Sequence, residues 1–321
     1  MLRKPEILVF LIWALLLAGS YAAAQSFNYV SIDIPNAIAP NSQGTWASGI
    51  NSRGQIVGGY LDQNGLEHGY FYSDGNFTTI DVPGSLAGLP DTTKLETEVN
   101  GINPQGEMVG DYFAPPGAPG APACVVAYSP ECDRGFLYKD GHFYNVLASG
   151  HLGSIPNSIT SAGAIYGCVH DHDFDASMFG FSRNSSGEFT ILWFSPSMSN
   201  GATLDGETIV GLYVPSGAVR PHGFVIHDGL VNDYLFPGGL STEIWGINPQ
   251  GDFVGVYRDV PGPNGLHGFL QPGDGSAPVA LNVPGATLTW ATAINPRGAI
   301  VGFYFDASGQ QHGFLTVRTR E

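Results

Sequence analysis

The sequence predicts an all-β protein, a single six-bladed β-propeller of four-stranded antiparallel blades. Three observations predict it. The stretch Thr45–Gly84 returns along the chain, most legibly at 242–270 (TEIWGINPQGDFVGVYRDVPGPNGLHGFL) and 289–315 (TWATAINPRGAIVGFYFDASGQQHGFL). Each copy divides at turn residues into four short runs rich in Ile, Val, Tyr, Phe and Thr, which is strand composition. The repeat is also one strand out of phase with the two ends of the chain, as a closed ring requires. A four-stranded meander of about 45 residues is the unit of a propeller blade.

Within a unit, the first run ends in Ile-Asn and is followed by Asn-x-x-Gly: Asn51 with Gly54, Asn103 with Gly106, Asn248 with Gly251, Asn295 with Gly298. Pro104, Pro249 and Pro296 take the second place in three copies. Asn first, Pro second and Gly fourth are type I turn preferences. The second run is Ile-Val-Gly-x-Tyr, at 56–60 and 300–304. A variable loop leads to a His-Gly-aromatic third run. Asp-Gly then marks a hairpin at Asp74-Gly75, Asp140-Gly141 and Asp228-Gly229. The fourth run, Phe77–Val82, stops at Pro83-Gly84.

The Gly closing the second run falls at 58, 110, 167, 211, 255 and 302, which makes six units. The expected blades are 45–84, 97–148, 154–197, 199–238, 242–285 and 289–318, with 27–37 added to the last. That addition follows from the ends. The last copy stops after its third run, while Ile32-Asp33-Ile34-Pro35 matches the fourth-run pattern of Ile80-Asp81-Val82-Pro83. A β-solenoid is the alternative, but it has no use for this offset and wants polar caps. One propeller domain spanning 25–321 is expected.

Residues 1–24 read as a secretory signal: Arg3 and Lys4, an apolar core Ile7–Leu17, and Ala22-Ala23-Ala24 before Gln25. Leu17-Ala18-Gly19-Ser20 has Ser where a lipidated Cys would stand, so a free secreted or periplasmic protein with no membrane span after signal removal is expected. Without the signal the chain has 10 basic and 27 acidic residues, a formal charge of −17. That charge argues against nucleic acid as a partner. In an oxidising compartment Cys124 and Cys132 are candidates for a local disulfide within the 114–131 insertion. Cys168 reads as a buried free thiol.

The run Gly-Ile-Asn-x-x-Gly-x-x-Val-Gly followed by His-Gly-Phe resembles the bacterial extracellular HAF repeats, whose third strand starts His-Ala-Phe. The matching triplets begin at His68, His222, His267 and His312; Arg134 and Phe179 depart from the pattern. The resemblance covers 27–318. It implies an exported propeller-like repeat protein and no defined activity.

Three kinds of candidate chemistry stand out. Asp62 with His68, Asp259 with His267 and Asp306 with His312 each look like a carboxylate orienting an imidazole. Their repetition points instead to a structural tie within each blade. The run Val169–Asp175 concentrates ligand types in His170, Asp171, His172, Asp173 and Asp175. It could hold calcium, the one candidate cofactor, or a transition metal. In so acidic a protein it also reads as an exposed polar loop, and that is the expectation. Finally, counting four residues back from the end of each first strand gives Trp46, Glu98, Ile155, Asn200, Glu243 and Trp290. This ring varies where a ligand would need it to vary. Trp46 and Trp290 suit a sugar, and Glu98 and Glu243 are the only candidates for a catalytic carboxylate pair. Packing between blades is the competing reading for the indoles. The residues five back (Thr45, Thr97, Ser154, Ser199, Thr242 and Thr289) hardly vary, which marks a structural hydroxyl. No Gly-x-Ser-x-Gly, His-Glu-x-x-His or phosphate-cradling loop is present. The sequence therefore favours a binding scaffold for a protein or glycan, with a polysaccharide hydrolase or lyase as the alternative.

Overall fold

The computed structural model describes residues 27–35, 37, 44–124, 132–171, 178–192, 194, 196–261 and 265–318. The expected signal segment lies outside them. The described strands form six four-stranded antiparallel sheets, and in five the strands follow chain order from the axis outward. Blade one, for example, runs Thr45–Ile50, Ile56–Leu61, Glu67–Ser73 and Asn76–Ile80. Blade six combines Leu288–Ile294, Ile300–Phe305 and Gln311–Arg318 with the first described strand, Phe27–Ile32. That strand pairs antiparallel to Gln311–Arg318, from Phe27 opposite Arg318 to Ile32 opposite Gly313. The ring is thereby closed by its two ends. No helix among the described residues is long and apolar enough to cross a membrane.

The turns follow their chemistry. Asn51 Oδ1 accepts the amides of Arg53 and Gln55, and the Gly54 amide bonds back to Asn51 O at 3.0 Å. Asp74, Asp140 and Asp228 take positive φ near 50°, each followed by a Gly with φ of 74–83°, as a two-residue hairpin turn demands.

Blades are clamped to one another by the same residue types in copy after copy. The first-strand hydroxyl accepts an amide from the strand exit of the preceding blade: Ile34 N to Thr45, Val82 N to Thr97, Val283 N to Thr289. The Asn side chain at the turn reaches across as well, from Asn51 to Asn103 O, Asn103 to Thr160 O and Asn295 to Asn51 O. Between the sheets, the aromatic residue of each third-strand triplet is wholly buried: Tyr70, Phe136, Phe181, Phe224, Phe269 and Phe314. Each such burial stabilises the fold by roughly 1.5–3 kcal/mol. The triplet glycine is needed because the next blade packs onto it. A Cβ on Gly69 would sit 2.7 Å from Val99 Cγ2.

The fourth blade begins at Ser197, not at 199, because its first strand is Ser197–Ala202. Ser197 pairs with Tyr213 as Thr97 pairs with Tyr112, so the repeat places assigned to Ser199 and Asn200 belong to Ser197 and Met198. Ala202 stands where other units have Ile, and counting from the wrong residue displaced the register by two. The expected disulfide position holds a bond between Cys124 and Cys132, and Cys168 is free and buried.

Candidate axial binding site

The first strands surround the axis, and alternate residues of a strand share one face. The corrected ring therefore points one way: Trp46, Glu98, Ile155, Met198, Glu243 and Trp290 all line a single cavity of about 510 Å³. This size falls within the range of small-molecule sites. The four residues singled out in the sequence, Trp46, Glu98, Glu243 and Trp290, are thus brought together.

A girdle of hydrogen bonds floors the cavity, built from the residues two places further along each first strand. Asn100 Nδ2 donates to Pro156 O (3.2 Å), Asn157 Nδ2 to Asn200 Oδ1 (3.2 Å), Asn200 Nδ2 to Ile244 O (2.9 Å), and Thr292 Oγ1 to Ala47 O (2.8 Å). Every one of these bonds crosses to a neighbouring blade. Beyond them the channel narrows to a space of about 90 Å³ among the Asn-x-x-Gly turns. The wide end is therefore a bowl whose inner rim is braced by bonds between blades.

The second strands supply residues that sequence reasoning missed. Asp111 lies opposite Glu98 and Phe303 opposite Trp290, and both line the cavity. Asp133, on the third strand of blade two, adds a further carboxyl, and Trp245 a third indole. The residue between Gly and Tyr of the second run (Asp111, Phe303) varies among units as the first-strand ring does, and that signal could have found two of them. Asp133 stands just before the third-strand triplet, where other copies have Glu67, Leu266 and Gln311, so this position varies too.

The carboxyls differ in their support. Glu98 accepts the Trp46 indole N–H and, at 3.1 Å, the Ser48 hydroxyl, both on Oε1. Burial nevertheless raises it above the usual carboxylate range. Burial, then the nearby charges of Asp133, Glu98 and Glu67, hold Asp111 well above its ordinary value, although Asn100 donates to it at 2.8 Å. Asp133 is completely buried, and neither of its carboxyl oxygens has a hydrogen-bond partner. Burial pushes it up to about 7, against the pull of Arg134. Glu243 accepts Trp245 Nε1 at 3.3 Å and is raised by burial to about 7. Just behind the wall, Glu67 is raised to about 8 by burial and by Glu98, Glu96 and Asp133.

The aromatic wall is continuous. Trp245 meets Trp290 edge-on at 5.9 Å, and Trp290 stacks on Phe303 at 5.6 Å. Trp46 lies over Gly59, where a Cβ would come within 2.3 Å of its indole. The indoles therefore both pack between blades and face the cavity.

The other candidates are held apart from this site. Each imidazole of the repeated pairs lies between a loop carboxylate and the residue just after a fourth strand: His68 between Asp62 (3.7 Å) and Asp81 (2.8 Å), and His312 between Asp306 (3.6 Å) and Asp33 (3.0 Å). Such a tie fastens loop to strand. Of the acidic run, His172, Asp173 and Asp175 lie outside the described residues. His170 is buried with Nε2 3.1 Å from Cys168 Sγ, and burial lowers its pKa to about 4. Asp171 faces His151 at 3.3 Å instead. Among the described residues no group of three or more His, Cys, Asp or Glu is arranged to hold a metal ion.

No protein-family model matches the chain, and no curated protein matches it in sequence. Solved structures do match in shape. TolB from Acinetobacter baumannii is 12% identical with a TM-score of 0.52, over 83% of this chain and 64% of that one, less than two thirds of its length. A protein of unknown function from Dyadobacter fermentans is 12% identical with a TM-score of 0.51, over 91% of this chain and 99% of that one. AofleA from Arthrobotrys oligospora is 10% identical with a TM-score of 0.52, over 93% and 91%. Likeness at these identities shows the fold alone: the chain is a β-propeller.

Proposed function

We propose that the protein is an exported binding module of the HAF-repeat type that captures a small ligand, such as one unit of a glycan, in the wide end of its axial channel. The observation that carries this reading is the convergence of Trp46, Glu98, Glu243 and Trp290 on one rigid cavity. Flat indoles suit the apolar face of a sugar ring, and the carboxyls and Asn girdle suit its hydroxyls. The signal-like N-terminus supports a secreted or periplasmic location. The test is a thermal-shift and fluorescence screen of the mature chain against oligosaccharides. A ligand at about 100 times its Kd stabilises by roughly 2.7 kcal/mol, and Trp290→Ala should abolish the shift. A shift that survives in Trp46→Ala and Trp290→Ala places binding elsewhere and overturns the reading.

A hydrolase or lyase is the second reading, favoured by the placement of Glu98 and Glu243 in one cavity, both raised above the usual carboxylate range. One protonated and one ionised carboxyl are what glycoside hydrolysis needs. Release of reducing ends from a polysaccharide that vanishes in both Glu98→Gln and Glu243→Gln supports it. Absence of turnover on polymers that bind tightly rejects it.

A further inference from the structure

The reading of the axial cavity as a ligand site says nothing of the ligand's charge, and the lining does. Four acidic residues line the cavity, Glu98, Asp111, Asp133 and Glu243, and among the described lining residues there is no Lys, Arg or His. Two observations separate this from an ordinary acidic patch. First, aromatic residues share the lining with the polar girdle: Trp46, Trp245, Trp290 and Phe303 border the same space. Second, Asp133 is fully buried with both carboxyl oxygens unpartnered. The nearest cationic side chain does not serve it, since Arg134 turns its guanidinium to donate to Leu152 O at 2.7 Å. A buried carboxyl with no donor costs free energy that a bound donor would recover.

Resting on that reading, we infer that the ligand presents a protonated amine, an ammonium group that donates to Asp133 and its neighbouring carboxyls while its carbon skeleton lies against the indoles. The chemistry matches on both counts. An ammonium is attracted to the face of an indole by the ring quadrupole, more strongly where water is excluded. It also carries three N–H donors, and a charge-assisted bond to even one unpartnered carboxyl is among the stronger hydrogen bonds. A bare metal ion fits less well. No metal-holding geometry exists among the described residues, and an inorganic cation gains little from a hydrophobic wall. A neutral sugar would satisfy hydroxyl-bonding needs but would bring no charge to stabilise the ionised form of carboxyls that burial disfavours. Amino sugars and polyamines share the chemistry, and the experiment separates them.

Three of the four tryptophans outside the signal segment, Trp46, Trp245 and Trp290, line the cavity, so intrinsic fluorescence reports on it directly. The mature protein is titrated at pH 7 and constant ionic strength with glucosamine, spermidine, N-acetylglucosamine, glucose and tetramethylammonium. The expected result is a saturable change with glucosamine or spermidine, at least tenfold tighter than with N-acetylglucosamine or glucose. Whichever amine binds identifies the source. Asp133→Asn should weaken amine binding at least tenfold. Should that variant fail to fold, Glu243→Gln on the opposite wall provides the same comparison. Equal binding of the acetylated and free amines leaves the cavity a binding site and overturns the inference. Tetramethylammonium binding as tightly as the amines removes the role assigned to Asp133, because it has no N–H to donate. No response to any probe, charged or neutral, overturns both the inference and the reading beneath it.

Discussion

The indole N–H of Trp46, on the innermost strand of blade one, donates to the carboxylate of Glu98 on the innermost strand of blade two. The bond crosses a blade boundary at the rim of the axial cavity, so one contact both clamps the ring and fixes the orientation of two cavity-lining groups. Ser48 adds a second donor from the same strand. A site assembled this way is preorganised, because its side chains are held by the contacts that hold the fold.

Trp46 is held in turn by a missing side chain. Gly59 lies opposite it on the second strand, and a Cβ there would fall 2.3 Å from indole Cζ2. Gly59→Ala should therefore displace the indole and cost about 1–3 kcal/mol, read by urea unfolding. In a Trp46→Ala background the same substitution should be nearly neutral. The coupling in that double-mutant cycle is the measurement, and additivity of the two losses would show that the indole does not lie where we place it.

Tyr70 breaks the pattern of its ring. The five equivalent residues are Phe, and all six are fully buried. The Tyr70 hydroxyl has no hydrogen-bond partner, so it carries a desolvation cost that the others do not. Tyr70→Phe is expected to stabilise the protein by about 1 kcal/mol, seen as a rise in the urea midpoint with an unchanged m-value. A loss of stability would mean that the hydroxyl has a partner, such as a buried water.

The closure of the ring is testable by cutting it. Phe27–Ile32 covers the edge of Gln311–Arg318, and Asp33 anchors His312 at 3.0 Å. Removing residues 27–34 exposes that edge and should lower Tm by on the order of 10 °C and promote association. A synthetic peptide of residues 27–35 should restore much of the loss by adding back as a strand. A truncated protein with unchanged Tm would show that the clasp contributes nothing.

The sequence carried the blades well because turn chemistry is local. Asn-x-x-Gly and Asp-Gly specify backbone conformations that little else satisfies, and every copy of the His-Gly-aromatic triplet buries its ring. The ring of variable first-strand residues was legible for the same reason, since strand alternation converts a repeat position into a direction. Blade four failed where Ala202 replaces Ile and removes the landmark; Asn200-Gly201, aligned on Asn100-Gly101, would have restored it. Asp133 was harder to read: it stands just before the Arg134-Gly135-Phe136 triplet, where other copies have Glu67, Leu266 and Gln311, and the local pattern of that position carries no landmark for the cavity.

The buried carboxyls make a prediction about pH whose sign runs opposite to the usual one. Asp133 and Glu243 are raised to about 7 and Glu67 to about 8, chiefly by burial. The groups bearing on Asp133 are Glu67 from blade one and Glu98, Asp111 and Arg134 within blade two; Arg258 bears on Glu243. In the unfolded chain these acids titrate near pH 4. Between about pH 4 and pH 8 the folded state therefore binds more protons than the unfolded one, and stability falls as pH rises through that window. Two groups act in the other direction: Asp306, lowered to about 2 by its hydrogen bonds, below about pH 4, and buried His170, lowered to about 4, between about pH 4 and pH 6.5, where it offsets only one of the acids. Tm should therefore peak near pH 5 and decline toward pH 8. Asp133→Asn and Glu243→Gln should flatten the decline, each raising Tm at pH 8 by on the order of a few °C. An amine ligand should do the same without mutation, because its charge stabilises the ionised carboxyls that burial disfavours. Its stabilising effect should grow from pH 5 to pH 8 and disappear in Asp133→Asn. A wild-type Tm that is flat across this range would mean that water in the cavity solvates these carboxyls fully, and the electrostatic case for a cationic ligand would fall with it.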